Sequence, residues 1–120
     1  MRYALLIYLD DAKFEPLTQK QRDSFGNAML DYDEELIASG HYVMSEPLRR
    51  PSEAVTVRKW DGELSCTDGP FMETKEHLSG LFFIEARDLN EAIGVAGRMP
   101  LATMGSIEVR PLGVLERVEL

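Results

Sequence analysis

A short stretch in the middle of the chain combines turn-forming residues with several side chains that can exchange protons. Residues 68–77 are Asp-Gly-Pro-Phe-Met-Glu-Thr-Lys-Glu-His. Asp68 and Glu73 are the candidate catalytic residues, because two carboxyl groups in a partly apolar cleft can divide the roles of acid and base between them. Lys75 is suited to holding an anionic substrate. The candidate ligand-binding residues of this stretch are Gly69, Pro70, Phe71, Lys75, Glu76 and His77.

The same residues also fit a purely structural role, and the two interpretations stay open at this level. Asp, Gly and Pro are common in turns, and Phe71 could fill the core beneath the loop. Glu73 and His77 are four residues apart, so a helical turn would bring them together as a proton relay or as a surface pair. The charged side chains could equally be solvated, or could tie the loop to the sheet.

The remaining His and Cys residues give weaker indications of chemistry. His41 follows Gly40 and could cap a helix C-terminus. Cys66 has no base beside it in the sequence, so we predict a buried or half-buried structural cysteine rather than a nucleophile. No His-x-x-x-His or Cys-x-x-Cys spacing occurs. The sequence therefore predicts neither a metal site nor a cofactor.

Composition limits the class of protein. The 120 residues suit a single domain, and 44% hydrophobic residues indicate a globular fold with a small core. A formal net charge of −8 argues against a nucleic-acid-binding surface. The apolar start of the chain is too short for a signal peptide, and no run is long enough to span a membrane. A single cysteine excludes an internal disulfide, so these features together predict a cytoplasmic protein.

The first half of the chain predicts a strand followed by a long helix. Residues 2–8 form a short apolar run with β-formers, which is typical of a buried strand. Thr18 and Gln21 have the spacing of a capping box at a helix N-terminus. Gly40 is placed to end that helix. The face toward the core is predicted to carry Phe25, Met29, Tyr32 and Leu36, which follow one another at intervals of four, three and four residues.

The second half predicts a hairpin, a buried strand, a helix and a final strand. Asp61-Gly62 is a strong signal for a type I′ turn between arms at 53–60 and 63–67. A buried strand follows at 81–85. Asp88 is placed to cap a helix that Pro100 ends. Residues 106–110 alternate as a last strand, which Pro111 ends or places at an edge.

In order, these elements give an α+β fold of the ferredoxin-like type, β-α-β-β-α-β, with an extra hairpin arm. Two helices can cover only one face of such a sheet. The strands at 2–8 and 81–85 are nevertheless apolar on both faces. The pattern therefore predicts a homodimer in which two sheets pack face to face.

Most of the chain resembles the DGPF branch of the YCII-related proteins. The central pattern Asp-Gly-Pro-Phe-x-Glu-x-Lys-Glu-x-x-x-Gly at 68–80 carries the resemblance, together with the opening at 1–8, Ser39-Gly40, residues 85–88 and residues 105–112. The resemblance implies a dimeric α+β barrel. Some relatives have a proposed His-Asp pair in the barrel cleft, and some break down chlorinated aromatic compounds. Counting back from the terminal Gly of the helix puts Met29 where those relatives have the His.

Two functional hypotheses follow. The first is a small cofactor-independent lyase or isomerase that acts on a small polar or aromatic molecule. The second is a non-catalytic dimer that binds a ligand or a protein. For the second, the resemblance implies a regulatory or stress-response setting, because genes for DGPF proteins often lie beside genes for extracytoplasmic-function sigma factors.

Overall fold

The computed structural model describes residues 1–120. Its helices are α1 (Asp11–Phe14), α2 (Gln19–Ser39) and α3 (Leu89–Arg98), with 3₁₀ turns at Pro51–Glu53 and Pro100–Thr103. Its strands are β1 (Arg2–Leu9), β2 (Tyr42–Pro47), β3 (Val55–Trp60), β4 (Glu63–Asp68), β5 (His77–Glu85) and β6 (Gly105–Pro111).

Four strands form one antiparallel sheet in the order β2-β5-β1-β6. At the centre of the sheet, Leu5 of β1 lies opposite Phe82 of β5 on one side and Val109 of β6 on the other. With α2 and α3 as the two crossover helices, this order confirms the predicted ferredoxin-like α+β fold. The last strand is also at an edge, as Pro111 predicts.

The hairpin was predicted correctly, but its place in the fold was not. Asp61 and Gly62 both have positive φ, 53° and 77°, as a type I′ turn requires. However, β3 and β4 form a separate two-stranded sheet, and the strand that completes the main sheet is β2, which the sequence pattern did not reveal. The motif loop is also shorter than predicted, because β5 begins at His77.

One face of the sheet packs against α2 and α3. The capping box of Thr18 and Gln21 begins α2, and Gly40 ends it with a φ of 80°. Tyr32 and Leu36 of α2 are buried, whereas Phe25 and Met29 are half-buried. The core on this face is completed by Tyr3, Leu5, Ile7, Phe82, Ile84, Ala86, Ala92, Val95, Ala96 and Met99.

The other face of the sheet is covered by no helix. It carries Leu6 and Tyr8 of β1 and Leu81 and Phe83 of β5, all half-buried and none of them part of the core cluster. We call these four residues the open face. None of the helices combines the length and the apolar composition needed to cross a membrane.

Candidate functional site

One cleft lies between α2 and the edge of the four-stranded sheet and has a volume of about 710 Å³. We call it the helix cleft. Its size falls in the range of small-molecule sites. Its apolar lining is Ile7, Leu9, Met29, Leu30, Phe82 and Leu101, and its polar lining includes Arg22, Asp23, Asn27, Asp33, Ser45, Glu46 and Ser79.

Asp33 is the carboxylate of this cleft whose acidity is perturbed. It lies one helical turn after Met29, so the two side chains are neighbours on α2. Burial raises the pKa of the Asp33 carboxyl, and a hydrogen bond from Ser45 opposes this effect without cancelling it. The Ser45 Oγ lies 3.5 Å from the Asp33 Oδ1. A carboxyl group whose pKa is raised by burial beside apolar side chains is a candidate for proton transfer.

Ser45 reaches Asp33 because of an irregularity in β2. The register between β2 and β5 shifts between Tyr42 and Met44, so Tyr42 and Ser45 lie opposite Ile84 and Phe82, which both face the helices. The Tyr42 hydroxyl and the Ser45 Oγ are 2.9 Å apart. The Tyr42 ring also packs edge-on against Phe82 at 6.5 Å. The Ser45 hydroxyl that donates to Asp33 is thus positioned by Tyr42.

A glycine allows the floor of the cleft to form. A Cβ on Gly80 would lie 3.3 Å from the Glu46 carbonyl oxygen of the neighbouring strand. Gly80 lines the cleft beside Ser79, which is the extra residue of a bulge opposite Ile7 and Tyr8. Because Gly80 has no Cβ, β2 can approach β5 closely at this point of the cleft wall.

The motif loop, residues 68–76, lies away from the helix cleft. Hydrogen bonds hold one end of the loop, and an ion pair holds the other. Gly69 has a φ of 101°. Its N–H donates to the Ala54 carbonyl at 2.7 Å, and its carbonyl accepts from the Thr56 hydroxyl at 2.9 Å. At the other end, Lys75 lies 3.9 Å from Asp10.

The predicted catalytic residues Asp68 and Glu73 are both exposed. Asp68 ends β4 and lines neither the helix cleft nor the cavities under the motif loop. Glu73 lines a cavity of about 430 Å³ together with Gly69, Pro70 and His77. The structure therefore places only Glu73 of the two at a cavity.

The predicted ligand-binding residues line cavities, form hydrogen bonds or ion pairs, or do both. Phe71 is 71% exposed, so it does not fill the core, but it lines a cavity of about 730 Å³ together with Pro70, Glu76 and His77. Glu76 accepts a hydrogen bond from the Ser106 hydroxyl at 2.8 Å.

The predicted helical turn between Glu73 and His77 is absent, because His77 begins β5. His77 instead pairs with Asp11 of α1, with 2.9 Å between Nε2 and Oδ1. The other ring nitrogen lies 3.2 Å from the Ser79 Oγ. Since Ser79 also donates to the His77 carbonyl, its hydroxyl is held by the backbone. We assign this pair to fixing the loop.

Neither His41 nor Cys66 lines the helix cleft or the cavities at the motif loop. His41 lies between the Ser39 hydroxyl and the Glu91 carboxylate, at 2.7 and 2.9 Å. The hydrogen bond from His41, followed by that from the Arg87 N–H, holds the pKa of Glu91 below its ordinary value. Cys66 is exposed on β4, so the prediction of a buried cysteine was wrong. No three His, Cys, Asp or Glu side chains are grouped as metal ligands.

Sequence patterns missed Asp33 and Ser45. Asp33 stands four residues after Met29, the position that the family resemblance singled out, and this spacing was the available signal. Ser45 gave no signal, because its segment was not predicted to be a strand.

Comparison with solved structures supports the fold. The 5-chloro-2-hydroxyhydroquinone dehydrochlorinase TftG of Burkholderia phenoliruptrix, solved in complex with 2,5-dihydroxybenzoquinone, aligns with a TM-score of 0.53. The alignment covers 94% of each chain at 16% identity. At this identity the similarity is evidence for the fold alone.

Comparison of sequences is more specific. An uncharacterised protein of Rhizobium meliloti (strain 1021) is 31% identical over 122 residues, which span 100% of this chain and 98% of that protein. The model of the YCII-related domain matches residues 1–115. The chain therefore belongs to the YCII-related family.

Proposed function

We propose that the protein is a small cofactor-independent lyase that removes a proton and a leaving group from a small polar or aromatic molecule bound in the helix cleft. An isomerase that moves a proton within such a molecule would use the same residues. The observation that carries the proposal is the Asp33 carboxyl, whose pKa is raised by burial at the wall of a cleft of suitable size.

The reaction assigns roles to three polar groups of the cleft. The Asp33 carboxylate accepts a proton from a C–H or O–H bond of the substrate, and the electron pair of this broken bond moves into a new double bond. The bond between a ring carbon and the leaving group breaks at the same time, and the leaving group departs with the electron pair of that bond. For a chlorinated substrate the products are the unsaturated compound, chloride and the proton. The Ser45 hydroxyl orients the carboxylate. Arg22 lines the same cleft; its Nε and Nη2 donate to the Phe14 and Glu15 carbonyls, and its positive charge favours an anionic oxygen or leaving group in the cleft.

The structural neighbour supports this class of reaction. TftG is by name a dehydrochlorinase, and its structure contains 2,5-dihydroxybenzoquinone. The substrate class that we propose for the helix cleft is accordingly small hydroxylated rings. Met29 leaves the cleft without the helix His of some relatives, so in this chain the proton-transfer role falls to Asp33.

We propose further that the protein acts as a homodimer in the cytoplasm. The open face presents four large apolar side chains on two central strands, and a second copy packed on it would remove them from water. The cytoplasmic location rests on the single cysteine and the absence of any disulfide.

The alternative is a dimer that binds a ligand or a protein without turnover. The motif loop favours it, since the loop lines two cavities while Asp68 and Glu73 are exposed. The link to a sigma factor remains a prediction from the gene neighbourhood of related proteins. Glu73→Gln keeps the shape of the side chain and removes its charge, so turnover lost in this variant would move the catalytic role from Asp33 to the motif loop.

The proposal is tested by chloride release from 5-chloro-2-hydroxyhydroquinone and other halogenated hydroquinones. We expect release by the wild type and a loss of at least about 100-fold in Asp33→Asn, the usual size of a general base effect. Asp31→Asn is the matched control, because Asp31 is an exposed carboxylate on the same helix. Binding of these compounds without release would support the alternative, and equal rates in the two variants would contradict the role of Asp33.

A further inference from the structure

The motif loop encloses a second cavity, which is separate from the helix cleft. It consists of two compartments of about 730 and 430 Å³. They adjoin, because both are lined by Arg50, Pro51, Pro70, Met72, Thr74 and His77. We call the two compartments together the loop cavity. None of these six residues lines the helix cleft.

The larger compartment has an apolar wall. Val55, Phe71 and Met72 line it, and their exposed fractions are 57%, 71% and 57%. Leu78 and Tyr8, a residue of the open face, line it on the side of the sheet, so the larger compartment adjoins the proposed subunit contact. Three large apolar side chains exposed around one hollow are typical of a surface that an apolar group covers.

Most of the charged groups at the loop cavity are already occupied. Asp11 is paired with His77, Glu53 accepts from Arg49 at 2.8 Å, and Glu76 accepts from Ser106. Arg50 is the exception among the cations, because its guanidinium makes neither an ion pair nor a hydrogen bond although it lines both compartments. The larger compartment thus presents one free cationic group, Arg50, whereas the unpaired carboxylate of Glu73 lines only the smaller compartment.

The loop that forms these walls is held in place from two sides. Gly69 is bonded to the strand β3 and to Ala54 before it. Lys75 and His77 meet Asp10 and Asp11, which adjoin one another at the start of α1. Such a loop does not have to be ordered by its ligand, which reduces the entropic cost of binding.

We propose that the loop cavity is a second ligand site, which binds a small carboxylic acid with an aromatic body. The carboxylate pairs with the Arg50 guanidinium, whose planar fork matches two carboxylate oxygens. The ring lies against Phe71 and Met72, which it covers from water. This site is independent of proton transfer in the helix cleft, so its test does not depend on that proposal.

The test compares phenylacetate with phenylacetamide, a neutral molecule of nearly the same shape. Each is titrated into the protein while the backbone amides are followed by ¹H–¹⁵N NMR. We expect saturable shifts at residues 71–78 and at Arg50, with phenylacetamide binding about tenfold more weakly, as the loss of one charged hydrogen-bonded pair predicts.

Variants test whether Arg50 supplies the positive charge that binds the carboxylate. Arg50→Gln should weaken phenylacetate about tenfold and leave phenylacetamide unchanged. Arg117→Gln is the control, because Arg117 is exposed, makes no ion pair and lines none of the three cavities. Phe71→Ala should weaken both compounds. A melting temperature near that of the wild type shows that each variant is folded.

Three results would overturn the second site. The first is shifts confined to the helix cleft around Asp33 and Ser45. The second is an equal loss of phenylacetate affinity in Arg50→Gln and Arg117→Gln, which would indicate only a general charge effect. The third is the absence of saturation by either compound at millimolar concentration.

Discussion

At the scale of single residues, two aspartates of α2 show how position decides chemistry. Asp31 is exposed, whereas Asp33 is half-buried at the wall of the helix cleft beside Ser45. Burial penalises the ionised carboxyl of Asp33 and raises its pKa. Turnover that needs the carboxylate should therefore increase as the pH rises through this pKa.

The raised pKa of Asp33 also predicts a stability effect. The folded protein binds this proton more tightly than the unfolded chain does, so ionisation of Asp33 reduces stability as the pH rises through the folded-state pKa. Asp33→Asn should thus melt above the wild type at neutral pH, and the difference should vanish below about pH 3.9, the ordinary value for an aspartate.

Thermal melts across this pH range check the stability effect. Asp31→Asn corrects for the general effect of removing a negative charge from α2. A lower melting temperature of Asp33→Asn at neutral pH would show that the carboxylate stabilises the fold. That result would contradict burial as the cause of the raised pKa.

Gly69 is the residue on which the conformation of the motif loop depends. Its φ of 101° lies in a region that side chains with a branched Cβ strongly avoid. Gly69→Val should destabilise the loop by about 1–3 kcal/mol. Hydrogen exchange at the Gly69 amide, which donates to Ala54, measures this directly. If the protection of this amide and the melting temperature of the variant were unchanged, the conformation of the loop would not depend on Gly69.

At the scale of elements, two glycines are predicted to respond to alanine in opposite directions. A Cβ on Gly105 would come within 2.2 Å of the Tyr8 carbonyl oxygen in the pairing of β1 with β6. Gly105→Ala should cost about 1–3 kcal/mol, because one backbone must move. Gly97 lies exposed in α3 with no neighbour near the position of a Cβ. Gly97→Ala should gain about 0.5–1 kcal/mol.

Urea unfolding of both glycine variants measures these changes. If Gly105→Ala were as stable as the wild type, the close approach of β1 and β6 at this point would be wrong. If Gly97→Ala lost stability, the assignment of Gly97 to a solvated helix face would be wrong.

The elements with local signals are those that the sequence predicted. The capping box of Thr18, the turn at Asp61-Gly62 and the apolar strands are each specified by neighbouring residues. The strand β2 has no such signal, because Tyr42–Pro47 contains Met, Ser, Glu and Pro and is held as an edge strand by β5 alone. The environment of Asp33 depends on β2, so the cleft residues could not be found before that strand was placed.

At the scale of the whole molecule, the unequal faces of the sheet are the main feature. One face carries the core, while the open face offers Leu6 and Phe83 to solvent. Phe83→Glu should place a charge in the proposed subunit contact and shift the protein from dimer to monomer.

Sedimentation equilibrium measures the oligomeric state. Ile93→Glu is the matched control, because Ile93 is 50% exposed on α3, away from the open face. A dimer that persists in Phe83→Glu, or that dissociates equally in Ile93→Glu, would show that the subunits do not meet through the open face.

The measurement that tests the central claim most directly is an NMR titration of the Asp33 side-chain carboxyl carbon, with and without 2,5-dihydroxybenzoquinone. We expect a midpoint above about 3.9, the ordinary value for an aspartate, and a change in that midpoint when the compound occupies the helix cleft. A midpoint at or below the ordinary value, unaffected by the compound, would contradict the role of Asp33 as the proton-transfer group of this cleft.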